Sequence, residues 1–284
     1  MEPLAYHLLF RWFVGLPMDD PIWDFPVFSQ NRERRREAEV ARAFFVEIGR
    51  LAREPGRLSD EHFPVDGTRL EAWAGQKSFQ PRAGTPPPTA SDAGNPSVNF
   101  RGQKRPNDTQ ASTTDPDARL YKKAPGQEAK LAFLGHGRMA NRNGLVVQPR
   151  LTKAPGTAAR EASGARARAS RQAKRGPLTL GGAKNYDPRA PVATLRGWKV
   201  TPQGAQHTAR PGGRASDPRT PRPGGCAASQ TKRKRVEAIF GWFKTVALLR
   251  KPRFRGLQRG GGRFTWAAAA YNLVRMRKLL GATP

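Results

Sequence analysis

Residues 129 to 151, AKLAFLGHGRMANRNGLVVQPRL, are the stretch of sequence that decides the fold. The two ends of this stretch, AKLAFLG (129–135) and LVVQPRL (145–151), are short runs rich in aliphatic residues. Between them lies Asn143-Gly144, a pair that favours a hairpin turn. The stretch therefore predicts two antiparallel strands.

Further strands are expected on both sides of this hairpin. HFPVDG (62–67) is a short apolar strand that ends at an acidic residue and a glycine, and Leu178 to Leu180 form a candidate strand downstream. Pro191 to Val200 predict a weak helix that leads into one more strand. Residues 81–118 and 203–228 are rich in Gly, Pro and polar or basic residues, and we expect irregular, disordered insertions there.

Helices are expected at both ends of the chain. Residues 4–15 predict a short helix, and a second helix from Ser29 has apolar residues at spacings of three and four, which are Ala38, Ala41, Phe45, Ile48 and Ala52. We expect residues 1–57 to form a small N-terminal helical unit. Two helices close the chain, near Gln230 to Leu249 and near Phe264 to Leu280. Residues 157–175 have helical propensity but almost no large apolar residue, so a helix there would be poorly anchored.

The first of the two closing helices carries a charged edge beside its apolar stripe. At about 100° per residue, one stripe collects the apolar residues, which are Val236, Ile239, Phe240, Phe243 and Ala247. Arg233, Glu237 and Lys244 fall within about 40° of one another along one edge of that stripe. We expect the stripe to pack inward.

Composition points to a polyanionic partner. The chain has 284 residues, and 51 Lys plus Arg against 22 Asp plus Glu give a formal net charge of +29. Such a charge favours nucleic acid through the release of phosphate counterions. The alternative is a basic chain from a GC-rich genome, because Arg, Ala, Gly and Pro have GC-rich codons. The single cysteine excludes an internal disulfide framework, and no run is apolar enough to span a membrane. An intracellular setting is therefore the simpler interpretation.

Two acids stand out in a chain that is poor in acids. Asp66 lies at the predicted strand end and Glu237 on the amphipathic helix, and acids far apart in sequence can share one metal ion. By themselves these residues have ordinary explanations. Asp before Gly is a turn former, and Glu237 could be a solvated helix charge paired with Arg233.

Seven blocks, in this order, resemble the DDE transposases of bacterial insertion sequences, specifically those of the insertion-sequence-five type. The resemblance extends over nearly the whole chain. The blocks are LLFRWFVGLPMDDPIWD (8–24), SDEHFPVDGTRLEAWAGQKSF (59–79), STTDPDARLYKK (112–123), NRNGLVV (141–147), RKRVEAIFGWFKT (233–245), RFRGL (253–257) and AAAAYNLVRMRKLL (267–280).

The resemblance implies an α/β, ribonuclease-H-like mixed sheet flanked by helices over residues 58–280, with long insertions. It also implies a triad of two aspartates and one glutamate that binds two magnesium or manganese ions and cuts phosphodiesters. Asp66 matches the first aspartate of this triad, and Glu237 matches its glutamate. The resemblance implies double-stranded DNA as the partner, both as the ends of the element and as the target. It also implies a homo-oligomer and no membrane partner. The implied location is the bacterial cytoplasm, in association with the nucleoid.

The chain departs from the family at the second aspartate. The expected motif is Leu-Gly-Ala-Asp-Lys-x-Tyr-Asp, whereas residues 180–187 read LGGAKNYD, so Ala183 occupies the ligand position. Asp187 matches a separate aspartate four residues downstream, and we do not expect it to fill the vacancy. Because a methyl group cannot coordinate a metal, we expect weak or absent metal binding and little or no cleavage. The chain also opens partway into the family pattern, which we interpret as a truncated, degenerate copy.

A basic cluster completes the candidate residues. Arg233 and Lys244 would support the metal site or contact phosphates. Further phosphate contacts are expected from Arg250, Lys251, Arg253 and Arg255, and the ring of Trp242 is expected to stack on a base. The alternative is a solvated basic tail with Trp242 in the core. Three hypotheses follow: a transposase, a catalytically dead DNA-binding remnant that interferes with an intact relative, and a non-functional pseudogene product.

Overall fold

The computed structural model of the chain describes residues 6–35, 38–82, 99–104, 107–154, 178–182, 197–204 and 224–281, apart from short gaps at 10, 12–14, 55, 59–61, 101–102, 124–125 and 198. The helices are α1 (Phe25–Arg35), α2 (Ala38–Arg53), α3 (Gly224–Thr245) and α4 (Leu257–Leu279). The strands are β1 (His62–Glu71), β2 (Phe79–Pro81), β3 (Asn99–Phe100), β4 (Gln103–Lys104), β5 (Gln110–Ser112), β6 (Arg119–Tyr121), β7 (Lys130–Met139), β8 (Val146–Lys153), β9 (Leu178–Gly182) and β10 (Val200–Gly204).

A mixed sheet of six strands forms the centre of the fold. Its strands lie in the order β10, β9, β1, β7, and both β6 and β8 pair with the far edge of β7. β7 is antiparallel to β1, β6 and β8, whereas β9 is parallel to both β1 and β10. Helices flank this sheet. The expected α/β class, a mixed sheet flanked by helices, is therefore confirmed.

The hairpin predicted from residues 129–151 is present, with longer strands than expected. β7 continues to Met139, and the chain turns through residues 140–145. The N–H of Gly144 donates to the carbonyl of Ala140 at 3.0 Å, and Gly144 has a φ of +72°. Glycine suits this position because the left-handed region penalises residues with a Cβ.

β1 corrects the expectation that this strand ends at Asp66 and Gly67. The strand runs on to Glu71, because its antiparallel pairing with β7 continues without interruption from Val65–Arg138 to Glu71–Ala132. Leu70 is buried at 2% exposure and anchors this extension in the core. Asp66 therefore lies in the middle of a paired strand.

The apolar face expected on α2 is confirmed. Ala41, Phe45, Ile48 and Ala52 are all buried, and the helix packs against α4, with the rings of Phe44 and Trp266 4.8 Å apart. Phe45, Ile48 and Ala52 belong to the same core as the sheet. The first closing helix is longer than predicted at its start and ends earlier, at Thr245.

α4 begins seven residues before the predicted Phe264. The glycines at 260–262 resemble a helix-breaking run, but Gly260 lies where an added Cβ would be 2.9 Å from the Leu151 Cδ2 atom of β8. The absence of a side chain at Gly260 lets α4 approach β8 closely. Farther along α4, the buried amide of Asn272 accepts from the Val146 N–H and donates to the Val146 carbonyl, both at 2.8 Å. This pair of bonds fixes α4 to β8.

Two glycines of β7 let α3 and α4 pack on the same face of the sheet. A Cβ at Gly135 would lie 2.7 Å from both Leu70 Cδ1 and Phe264 Cε2, and a Cβ at Gly137 would lie 3.2 Å from Phe240 Cζ. The rings of Phe264 on α4 and Phe240 on α3 therefore occupy the space that side chains would fill.

The expected irregular insertion at 81–118 is wrong at its C-terminal end. β5 pairs with β2, and Asp115 and Ala118 are fully buried. The Asp117 carboxylate accepts the Leu257 N–H at 3.0 Å at the start of α4 and contacts Lys153 Nζ at 2.8 Å. These two interactions hold the pKa of Asp117 below its ordinary value. Asp117 therefore attaches the end of this segment to the start of α4 and to β8.

The expected irregular segment at 203–228 is likewise shorter than predicted, because β10 reaches Gly204 and α3 begins at Gly224. The described residues include neither 205–223 nor the predicted helix at 157–175, and they omit half of the predicted helix at 4–15 and most of Pro191 to Val200. Among the helices that the structure describes, none combines the length and the apolarity that a membrane span requires.

We expect Gly135→Ala to lower the free energy of unfolding by about 1–3 kcal/mol, because the new methyl group would overlap two buried side chains. The matched control is Gly49→Ala in α2, where an added Cβ meets no atom within 4 Å. That change should raise stability by roughly 0.5–1 kcal/mol, because alanine is the better helix former. Urea denaturation measures both. Equal effects of the two substitutions would contradict the packing described for β7.

Candidate functional site

Asp66 points to the side of the sheet that α3 covers. Its partner in the β1–β7 register is Gly137, and directly opposed residues of an antiparallel pair share a face. That face of Gly137 lies against Phe240 of α3. The carboxylate is half-buried, and its Oδ1 atom accepts the N–H of Gly67 at 2.8 Å. Asp66 is thus held on a strand beneath a packed helix.

Glu237 lies on the same side of the sheet. It is exposed, three residues before Phe240, which places it about 4.5 Å along the helix axis and about 60° around it from that ring. α3 packs against β1, β7 and β9. The backbone therefore brings Asp66 and Glu237 to the same side of the sheet.

β9 approaches the same place with its carboxyl end. In the parallel β1–β9 register, Leu180 is opposite Phe63 and Gly181 is opposite Pro64, two residues before Asp66. The described part of β9 ends at Gly182. Ala183 follows in the sequence and, with Asp187, lies outside the described residues. Within the part of the chain that the structure describes, no three His, Cys, Asp or Glu side chains form a group that could hold a metal ion.

Lys244 is half-buried in cationic surroundings. Burial lowers its pKa, and repulsion from Lys123, Arg69 and Arg250 lowers it further, whereas Glu71 acts in the opposite direction. The N–H of Glu71 donates to the Arg250 carbonyl at 3.0 Å, so the loop between α3 and α4 is attached to the end of β1. This region is suited to an anion, because a phosphate would relieve the repulsion between the cations.

The remaining basic candidates lie along the same loop or on α3. Lys251, Arg253 and Arg255 are exposed. Arg233 belongs to α3, but its side chain lies outside the described residues. The exposed cations are free of burial costs and can reach phosphates at different positions.

Trp242 has the surroundings of a core residue. It is half-buried, and its ring packs edge to face against Tyr271 and Phe243, with centroids 5.5 Å and 6.2 Å apart. These contacts correspond to the second alternative drawn from the sequence, in which the indole belongs to the core. They leave little of the ring face for a base.

Trp73 is an aromatic residue that the sequence reasoning missed. It is 40% exposed, and its ring centroid lies 5.4 Å from Lys251 Nζ and 5.9 Å from Arg253 Cζ. Both distances are in the range of cation–π contacts. The signal in the sequence was the WAGQKSF segment after β1, but the two cations come from the distant loop between α3 and α4.

Two solved structures are similar to the chain at a low level. The Mos1 mariner paired end complex with Mn has a TM-score of 0.26 and 11% identity, over 96% of this chain and 69% of that one. A pre-cleavage Mos1 transpososome has a TM-score of 0.25 and 10% identity, over 96% and 68%. Similarity this weak carries no argument about function. No protein-family model matches the chain. No curated protein matches it either.

We expect Lys244→Met to stabilise the protein near pH 7 by roughly 0.5–1 kcal/mol, the scale of partly exposed charge interactions. The folded-state pKa lies below the ordinary value of 10.5, so folding disfavours the charged amine at every pH below that folded-state pKa. This penalty is complete at neutral pH and shrinks as the pH rises towards 10.5. Thermal unfolding at pH 7 and pH 10 measures it.

The control for this prediction is Lys278→Met, which removes an exposed lysine at the end of α4. Its stability difference from the unaltered protein should be small and nearly independent of pH. A destabilised Lys244→Met variant at pH 7 would contradict the repulsion argument.

Proposed function

We propose that this chain is a DNA transposase of the DDE type found in bacterial insertion sequences of the insertion-sequence-five type, and that it has lost one metal ligand. On this proposal it binds double-stranded DNA, and cleavage and strand transfer are abolished or nearly so. The observation that carries the proposal is the shared position of Asp66 and Glu237. These two acids belong to distant parts of the sequence, yet both lie on the α3 side of the sheet.

The end of β9 supports the same site. A strand parallel to β1 brings its carboxyl end to the level of Asp66, where a third acid could complete a cluster. The family pattern has an aspartate directly after the segment that corresponds to Gly182, and this chain has Ala183. The reaction centre of the family is therefore expected at the end of β9, and this chain has one carboxylate fewer at that position.

Asp66 and Glu237 are the residues that would hold a metal ion. Two carboxylates, with water and phosphate oxygens completing the shell, suit one Mg²⁺ or Mn²⁺, whereas a pair of ions needs more oxygen ligands than these two acids supply. A bound ion would lower the pKa of its water and neutralise charge on the phosphate. Asp66 is the better fixed of the two ligands, because it lies in a paired strand and accepts the Gly67 N–H.

Phosphate contacts are assigned to the basic residues near the end of β1. Lys244 and Arg250 lie within repulsive range of one another, and Lys251, Arg253 and Arg255 extend the positive surface along the loop. Arg233 is proposed as a further contact on α3. A DNA backbone passing over α3 could reach both this surface and the acids.

The reverting substitution Ala183→Asp tests the site. We expect the variant to nick a supercoiled plasmid that carries the terminal sequences flanking this gene, in Mg²⁺ or Mn²⁺, at least about a hundredfold faster than the unaltered chain. The restored carboxylate would supply the missing oxygen ligand. Agarose-gel analysis of nicked and linear products measures the rate.

Two matched variants separate coordination from side effects. Ala183→Asn has nearly the same size without the charge and should stay inactive. Adding Asp66→Asn to Ala183→Asp should abolish the gain. Efficient cleavage by the unaltered chain would show that Ala183 is no obstacle, and absence of nicking by the folded Ala183→Asp variant would refute an otherwise intact site.

A second candidate function is a DNA-binding remnant without any catalytic activity, which could interfere with an intact relative. The formal net charge of +29 and the cationic loop between α3 and α4 favour it. It shares the DNA contacts of the first candidate and differs in requiring no metal. Salt-dependent DNA binding by the folded Ala183→Asp variant, without nicking, would favour this second function.

A further inference from the structure

Trp73 differs from the other exposed apolar residues in its charged surroundings. Single exposed apolar side chains are normal on protein surfaces and need no function. Trp73, however, has Lys251 and Arg253 within cation–π distance of its ring, and both cations are exposed. Glu71 is the acidic residue nearest to Trp73 in the sequence, and it is engaged by Arg69 and Lys130 at 3.6 Å and 3.2 Å. The ring thus lies in a positive field.

Both sides of this group are fixed by the fold. The residue before Trp73 is Ala72, which is buried and donates its N–H to the Leu131 carbonyl at 2.8 Å. On the other side, the Arg250 carbonyl accepts the Glu71 N–H, and Pro252, between the two cations, is buried. A partner would therefore find the backbone already positioned, and only the ends of long side chains would have to be ordered.

A tryptophan ring beside two exposed cations is chemically complementary to an unpaired nucleotide, with its base and its phosphates. Every base offers a flat face that stacks on an aromatic ring, and Lys and Arg can contact the phosphates on each side of it. In a duplex the base faces are covered by neighbouring bases, so phosphate contacts alone would leave the indole unused. The exposed ring therefore favours a single strand over a duplex.

We propose that Trp73, Lys251 and Arg253 form a binding site for single-stranded DNA, in which one unpaired base stacks on the indole and the adjacent phosphates contact the two cations. This group is named the Trp73 site. It deepens the proposed function and rests on DNA being the substrate. Glu71, two residues before Trp73, is five residues from Asp66, or about 17 Å along β1. The Trp73 site therefore lies beyond the end of β1, away from Asp66.

The test uses the full chain in EDTA, so that neither metal nor cleavage enters the result. Fluorescence anisotropy compares a labelled 12-nucleotide oligothymidylate with a labelled 12-base-pair duplex. Trp73→Ala should weaken binding of the oligothymidylate by at least about fivefold and that of the duplex much less, whereas Trp73→Phe should keep most of the affinity. Trp23→Ala is the matched control, because Trp23 is 43% exposed, close to the 40% of Trp73, and should leave both affinities unchanged.

The cations have a separate readout. Replacing Lys251 and Arg253 together by Gln should reduce the slope of log affinity against log salt for the single strand by about 1.4, since each lost phosphate contact contributes about 0.7. An unchanged slope would contradict their assignment. The unaltered protein gives an independent test, because irradiation with a 5-iodouracil oligonucleotide should place the crosslink on Trp73. A crosslink only on another residue would overturn the proposal even if Trp73→Ala failed to fold.

The outcomes keep the two proposals apart. If Trp73→Ala binds the oligothymidylate as tightly as the unaltered chain, or loses single-strand and duplex affinity equally, the Trp73 site is refuted while the acids remain untested by that result. If the unaltered chain binds neither probe, the Trp73 site is also refuted. If the oligothymidylate result is as expected but Ala183→Asp does not nick DNA, the catalytic proposal fails and the Trp73 site stands.

Discussion

The absence of side chains at Gly135 and Gly137 is the constraint on which the rest of the structure depends. Because these two positions of β7 are open, the ring of Phe264 rests against Gly135 and that of Phe240 against Gly137. Phe243 links the two helices, with its ring 5.2 Å from that of Phe264 and perpendicular to it. The distance between α3 and the sheet is therefore set by backbone and aromatic rings in direct contact. Since Asp66 is the cross-strand partner of Gly137, the same packing that builds the core also decides where Glu237 lies relative to that carboxylate.

Much of the fold could be predicted where the signal is local and periodic. The stripe of Val236, Ile239, Phe240 and Phe243 on α3 is buried as its spacing indicated, and the hairpin of β7 and β8 follows from two aliphatic runs with a turn between them. The prediction failed where long-range pairing overrode a local signal. Gly67 and the glycines at 260–262 indicate breaks, but the first lies within a paired strand and the others allow α4 to contact β8. Whether a glycine ends an element or allows close packing depends on the strand or helix that packs against it. The local sequence does not contain that information.

The candidate site was predictable to a similar, partial extent. Asp66 and Glu237 were predicted because the chain has few acids and because the surrounding blocks resemble a family pattern, and their role as metal ligands stays a prediction. The Trp73 site could not be found, since its cations come from a loop that lies at the far end of the sequence. Buried polar residues were equally hidden. Asn272 is a polar residue, yet it is buried because its side-chain amide bonds to both the N–H and the carbonyl of Val146. Whether a buried polar group finds hydrogen-bond partners depends on its neighbours in three dimensions.

Loss of a metal ligand need not weaken the fold that carries it. Carboxylates gathered around a metal position repel one another whenever no cation is bound, so a cluster of acids is a source of instability that only its function justifies. An alanine in place of one acid removes repulsion and a desolvation cost while leaving the β7 packing untouched. The cationic surface along the loop between α3 and α4 is likewise independent of the acids, because it is held by Arg250, Pro252 and the end of β1. On the proposed function, the chain can therefore fold and bind DNA after its chemistry has been lost, since the packing and the proposed phosphate contacts involve residues other than the proposed metal ligands.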